Sequence, residues 1–170
     1  QRVRVEGNYH LVDAVAVHID DLDAATMPSA TVPGAGDDAH HVQDEAGHAQ
    51  LLYRIVEDLG KPREACLDDL IAGKSKFHNV FHYPTKSWGD VGVIAWLVDA
   101  AAIISQKALL KCSYAPYARI MRKICWEESF HILHGRDVVL TLVTGTAEQR
   151  ELVQEALERW WEPLMMFHGN

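Results

Sequence analysis

The stretch VGVIAWLVDAAAII, from Val91 to Ile104, leaves this chain the least freedom. A helix formed there is apolar on nearly every face, so it must be surrounded by other elements rather than laid on a surface. The passage is shorter than the roughly 20 residues needed to cross a bilayer, and it carries Asp99 within it. It is therefore read as a core helix. An ionised carboxylate among Ala95, Trp96, Leu97, Val98, Ala100 and Ala102 is costly without a partner. The partner is either a buried histidine, lysine or backbone group, or a metal ion.

The surroundings of that helix are helical too. From Gln43, the apolar residues Ala46, Ala49, Leu52, Tyr53 and Val56 recur at three-to-four spacing until Gly60 and Pro62. A short helix is predicted over Arg63 to Ala72, followed by the turn GKSKFHN and the segment FHYPTKSWGD. Ser87 is placed to cap the core helix, which is expected to run toward Lys111. Ser113 and Pro116 open a further helix from Ala115 to Val143. Gly145 and Thr146 separate it from a last one, Ala147 to Phe167, whose final turns Pro163 is expected to bend or shorten.

Long helices joined by short turns predict an all-α antiparallel bundle. Residues 8 to 40 fit it less well: YHLVDAVAVHID alternates like a strand, and MPSATVPGAGDD reads as an extended or irregular linker. The 170 residues, 48% of them hydrophobic, suit one core, so residues 1–170 are taken as a single domain with an atypical segment over 1–40. The chain starts at Gln1 without a methionine and ends after an apolar MMF, and it is expected to be part of a longer protein. A formal charge of -8 gives no general attraction to nucleic acid or anionic membranes, and neither is expected as a partner. Cys66, Cys112 and Cys125 lack metal-binding spacing, and an odd number fits a reducing, cytoplasmic setting.

A short chemical pattern recurs on two of the predicted helices. Glu45-Ala-Gly-His48 and Glu128-Ser-Phe-His131 are both Glu-x-x-His, a spacing that puts the two side chains on one face, a turn apart. Either pair alone reads as a solvated face or local ion pair as readily as a ligand pair. Together with a buried Asp99 on a third helix, they match the design of a dinuclear iron or manganese site in a bundle. Carboxylates chelate one ion or bridge two, and imidazoles add neutral nitrogen donors. Glu127 is expected to face away or orient a neighbour rather than bind metal, and His134, a turn beyond His131, either to support the ligands from behind or, as is commoner, to make an ordinary polar contact.

Longer signatures surround these residues: VQDEAGHA, FHYPTKSWGDVGVIAWLVDAAAI, SYAPYARIMRKICWEESFH and the closing WWEPLMMF. Over about residues 42 to 168 the chain resembles the catalytic oxygenase subunit of bacterial phenylacetyl-coenzyme A epoxidase. The resemblance implies a ferritin-like bundle with a carboxylate-bridged di-iron centre. Glu45, His48, Asp99, Glu128 and His131 would be its ligands, with Glu45, Asp99 and Glu128 as the catalytic carboxylates. It implies insertion of one oxygen atom from O2 into the ring of phenylacetyl-CoA, giving the ring 1,2-epoxide and water, in aerobic phenylacetate breakdown. Electrons would come from NADPH through a separate reductase, and a non-catalytic, similarly folded subunit would be the structural partner. Lys74, Lys76 and Lys86 flank the entry to the core helix and are candidates for the coenzyme A phosphates, against the simpler reading of a solvated loop. Tyr83, His82 and Asn79 are candidates for amide or thioester contacts. Gly92, Ala95 and Ala102 either make room for the ring or allow close helix packing, and Trp88 and Trp96 either line the acyl pocket or fill the core.

The early segment departs from the family pattern. A ligand glutamate from a first helix would fall near Val15, yet no glutamate lies between Glu6 and Glu45. Asp13 and Asp20 flank that place on nearly one helical face. His41 stands where the family carries a basic residue. A metal-poor scaffold subunit is accordingly the second reading, and iron storage the third. Hydrolysis by a nucleophile has no base and orienting acid tied to Cys125 or to any serine.

Overall fold

The structure is a computed structural model and describes residues 38–75, 80 and 83–167, with side chains from Gln43 onward. The strand-like and linker readings before Asp38, together with Glu6, Asp13 and Asp20, lie outside the described residues, as do the side chain of His41 and all of Lys76, Asn79 and His82. Among the described residues every regular element is helical, giving an all-α ferritin-like bundle. Its helices are α1 (Asp38–Asp58), α2 (Arg63–Ile71), α3 (Trp88–Lys111), α4 (Ala115–Thr144) and α5 (Ala147–Phe167).

Two apolar clusters hold the bundle, and α4 passes through both. Toward its start, Tyr117, Met121 and Ile124 pack with Leu52 and Ile55 of α1. Toward its end, Val138, Val139 and Leu142 join Val93 and Val98 of α3 and Trp160 of α5. Glu128 and His131 lie on the stretch of α4 between the two clusters. Burial of such side chains stabilises by about 1.5–3 kcal/mol each, which holds α1, α3 and α4 close around whatever polar groups lie between them.

The start of α3 is fixed by the predicted cap. Ser87 Oγ accepts from Asp90 N–H at 3.3 Å, and Asp90 Oδ2 accepts from Ser87 N–H at 2.9 Å, a reciprocal capping box. Asp90 is wholly buried, and its other oxygen accepts from Trp160 Nε1 at 2.8 Å and from Arg159 Nη1. This carboxylate therefore ties the entry of α3 to α5. Glycines let the helices approach: a Cβ at Gly89 would lie 2.4 Å from the Leu152 carbonyl oxygen of α5. One at Gly135 of α4 would lie 2.4 Å from Trp96 N of α3.

Several alternatives left open by the sequence are resolved here. α5 keeps its expected span, Ala147–Phe167, and of the two effects expected of Pro163, bending or shortening, the shortening is not seen. Proline removes one backbone hydrogen bond, but Trp160 and Leu164 on either side are anchored in the core, and that packing overrides local propensity. Helix α3, at 24 residues, is longer than its apolar passage and by length and composition alone is long enough to cross a membrane. Its packing against α4 and α5, and Asp90 and Asp99 within it, mark it as a core helix. Gly92 and Ala95 serve close packing: a Cβ at Gly92 would meet Val138 and Val139, and Ala95 sits against Gly135. Trp88 and Trp96 are half-buried against the core.

Candidate metal centre

Three helices bring five side chains to one place. Helix α1 contributes Glu45 and His48, and α4 contributes Glu128 and His131, each pair one turn apart on a buried face. Helix α3 contributes Asp99 immediately after a π-helical turn, Ile94–Val98, in which Asp99 N–H donates to Ile94 O five residues back. That extra residue changes the phase of α3 between its capped start and Asp99. Glu45, His48, Glu128 and His131 are each no more than 6% exposed.

The five form two overlapping groups. Donor atoms of Glu45, His48 and Glu128 all lie within 4.8 Å of one another, as do those of Asp99, Glu128 and His131. Glu128 belongs to both, with Oε1 at 3.3 Å from His48 Nδ1 and Oε2 at 3.2 Å from His131 Nδ1. Glu45 also spans the pair, with Oε2 at 3.7 Å from His48 Nδ1 and Oε1 at 3.3 Å from His131 Nδ1. The two rings stand 6.3 Å apart between centroids. Both imidazoles thus turn Nδ1 toward the carboxylates in the middle.

Their outer nitrogens meet a second pair of acids. His48 Nε2 lies 2.9 Å from Glu127 Oε2, and His131 Nε2 lies 3.5 Å from Asp44 Oδ2. Each acid immediately precedes the glutamate of one Glu-x-x-His and reaches the histidine of the other helix. Of the two roles expected for Glu127, facing away or orienting a neighbour, it takes the second. The repeated acid before each motif, Asp44-Glu45 and Glu127-Glu128, was the available sequence signal for this crossing pattern.

Electrostatics show how the buried acids and imidazoles compensate one another. Burial acts against a charged imidazole at His48, but the Glu128 and Glu45 carboxylates beside it outweigh burial and push its pKa up to about 10. The same competition, burial against Glu128 and Glu45, pushes His131 up to about 11. Burial would raise Glu128, yet His131 and His48 bring it down to about 2. Asp99 is driven well above the ordinary carboxylate range, by burial first and then by Glu128 and Glu45. The protonated imidazoles therefore balance the neighbouring carboxylates.

The donor set fits a pair of iron or manganese ions. Three carboxylates and two imidazoles from separate helices are the right chemistry, and one carboxylate shared by two groups is the right topology. Two further atoms point the same way: buried His48 Nδ1 and Glu128 Oε2 make no hydrogen bond among the described residues. Buried polar atoms seldom go unpaired, so their placement favours an added partner between the helices. Away from this cluster, Lys74 is exposed with Nζ 3.7 Å from Asp69, and Lys86 is exposed with its backbone N–H donating to Asp90 at 2.7 Å. Tyr83 is 40% exposed, its ring 6.0 Å from that of Trp160.

A ferritin-like bundle with two Glu-x-x-His turns and a third-helix acid closing on a shared carboxylate is compatible with the class of carboxylate-rich metal proteins. Comparison with known proteins narrows the class. Residues 39–170 match the family described as phenylacetic acid catabolic protein. The chain is also similar to one subunit of the 1,2-phenylacetyl-CoA epoxidase of Escherichia coli (strain K12), with 50% identity over 130 residues, 76% of this chain and 42% of that relative. The chain belongs to the phenylacetic acid catabolic protein family, and it spans about 42% of the length of the curated relative it matches.

Proposed function

We propose that this chain carries the metal centre of a di-iron oxygenase subunit that inserts one atom of O2 into the ring of phenylacetyl-CoA. The single observation that carries the reading is Glu128, one buried carboxylate common to both three-residue groups. One oxygen atom enters the ring as the 1,2-epoxide and the other leaves as water, with two electrons supplied from NADPH through a separate reductase. A reduced pair of irons, when bound, supplies the activation of O2 that an unreactive ring demands. Glu45, His48 and Glu128 would hold one ion, and Asp99, Glu128 and His131 the other.

The remaining residues of the site have supporting tasks. Glu127 holds the outer nitrogen of His48 and so fixes which nitrogen faces the centre, while Asp44 stands 3.5 Å from the outer nitrogen of His131. The apolar clusters on either side keep bulk water from the carboxylates. Lys74, Lys76 and Lys86 would meet the phosphates of coenzyme A at the surface, since that group is too large and too charged to be buried. The 50% identity with a protein named as one subunit of a phenylacetyl-CoA epoxidase supports the substrate and a complex with other subunits, among which a non-catalytic, ferritin-like one would be the structural partner. Coenzyme A thioesters and three free cysteines fit a cytoplasmic setting.

A second reading has one observation in its favour. Because no glutamate lies between Glu6 and Glu45, a metal-poor, non-catalytic ferritin-like subunit of the same type of complex is the alternative. The two separate in one experiment on the full-length protein with its partner subunit. Anaerobic ferrous titration followed by O2 uptake with reductase, NADPH and phenylacetyl-CoA yields two irons per chain and epoxide under the first reading. Neither iron binding nor O2 uptake would leave the scaffold.

A further inference from the structure

Beside the metal centre the chain carries a link that runs out to solvent along one side of α4. Lys123, half-exposed, lies one turn before Glu127, and its Nζ contacts both oxygens of that carboxylate. Glu127 is only 15% exposed at its side chain and passes the contact inward to His48 Nε2 at 2.9 Å. Beside the other imidazole the arrangement is looser: Asp44 is 39% exposed and lies 3.5 Å from His131 Nε2. A carboxylate held at both oxygens has little rotamer freedom left, and that restraint is transmitted to the ring it holds.

We propose that Lys123 is a positioning residue for the metal held by Glu45, His48 and Glu128: by clamping Glu127, it fixes the His48 ring with Nδ1 toward the centre. This rests on the di-iron reading above. The pair is an ordinary i,i+4 surface contact as far as folding is concerned, so its loss should barely move the melting temperature. Its consequence for the metal is larger, because small rotations of a ligand ring misalign its donor nitrogen.

The test uses full-length protein with Lys123→Met and Lys123→Arg. Anaerobic ferrous titration against a competing chelator resolves the two ions. Lys123→Met is expected to weaken one of them about three- to tenfold, somewhat less than direct loss of an outer hydrogen-bond partner, and to leave the other unchanged. Lys123→Arg restores the affinity, and the melting temperature of each variant stays within about 2 °C of the parent. Equal affinities in parent and Lys123→Met, or an equal loss at both ions, overturns the proposal. A second readout needs no metal: the Nε2–H proton of His48 in 1H–15N spectra of metal-free protein is protected from exchange in the parent and in Lys123→Arg, and exposed in Lys123→Met. A parent that shows this dependence but binds no iron removes the di-iron reading and keeps the positioning role. An Nε2–H signal indifferent to Lys123 removes the role itself.

Discussion

Substituting Gly135 by alanine probes whether the packing of α3 on α4 sets the geometry of the centre. A Cβ there would lie 2.4 Å from Trp96 N and 2.7 Å from Ala95 C, whereas ordinary contact begins near 3.4 Å. Backbone rather than a flexible side chain is in the way, so the two helices must part by about 1 Å at the π-helical turn, at an overpacking cost in the upper part of the usual range, about 2–3 kcal/mol. Alanine's better helix propensity returns up to about 1 kcal/mol, leaving a net loss of about 1–2 kcal/mol. For a chain of this size that lowers the melting temperature by about 2–8 °C. Gly135 lies one turn after His131, and Trp96 one turn before Asp99, so the same displacement separates these two side chains and weakens the ion they would share. Gly47→Ala in α1 is the control: nothing described lies within 4 Å of the added Cβ, and it should stabilise by about 0.5–1 kcal/mol. Thermal unfolding of both variants, with ferrous titration, checks the reasoning. An unchanged or raised melting temperature for Gly135→Ala would refute it.

Other consequences follow from the electrostatics and the shared acids. With His48 near 10 and His131 near 11 without metal, both imidazoles are protonated at pH 7, and loading with iron should release at least those two protons, with Asp99, raised above the ordinary carboxylate range, adding to them where it is still protonated. Calorimetry in buffers of different ionisation enthalpy reads that number, and a value near zero would contradict the assignment. Because both histidines are raised from 6.5, their contribution to metal-free stability is full below pH 6.5 and is lost as pH rises through about 10 and 11. Glu128 is lowered from 4.5 to about 2, so its contribution is full above pH 4.5 and is lost toward pH 2. Melting temperatures of the metal-free protein should therefore fall steadily from pH 6.5 upward and from pH 4.5 downward, and a flat series would count against the cluster. Glu128→Ala should abolish both irons, whereas Asp99→Ala should weaken only the ion shared with His131, as metal analysis of the two variants would show. Asp90→Ala leaves Arg159 and Trp160 without their buried acceptor and should cost about 3–5 kcal/mol, visible as a large drop in thermal stability with the metal ligands untouched.

Helices α1, α2, α4 and α5 were legible because apolar residues at three-to-four spacing, bounded by Gly60 with Pro62 and by Gly145, leave few alternatives. The capping role of Ser87 was legible for the same reason, since a side-chain acceptor directly before an apolar helix has one obvious use. Convergence of Glu45, His48, Asp99, Glu128 and His131 was anticipated from motif spacing plus one acid in an apolar helix. The tie from Asp90 to Arg159 and Trp160 was not, because a partner some 70 positions away leaves no local periodic trace. Nor was the π-helical turn before Asp99, since backbone phase within a uniformly apolar stretch has no composition signal. Pro163 does not shorten α5 for a physical reason: its local cost is set against burial on a core that the local sequence does not reveal.

The central claim is that one buried acid joins two metal positions. Crystals of the full-length protein loaded anaerobically with iron, mapped by anomalous scattering at the iron edge, test it most directly. Two peaks are expected on either side of the Glu128 carboxylate, one beside Glu45 and His48 and the other beside Asp99 and His131. A single peak, or two that Glu128 does not touch in common, would contradict it.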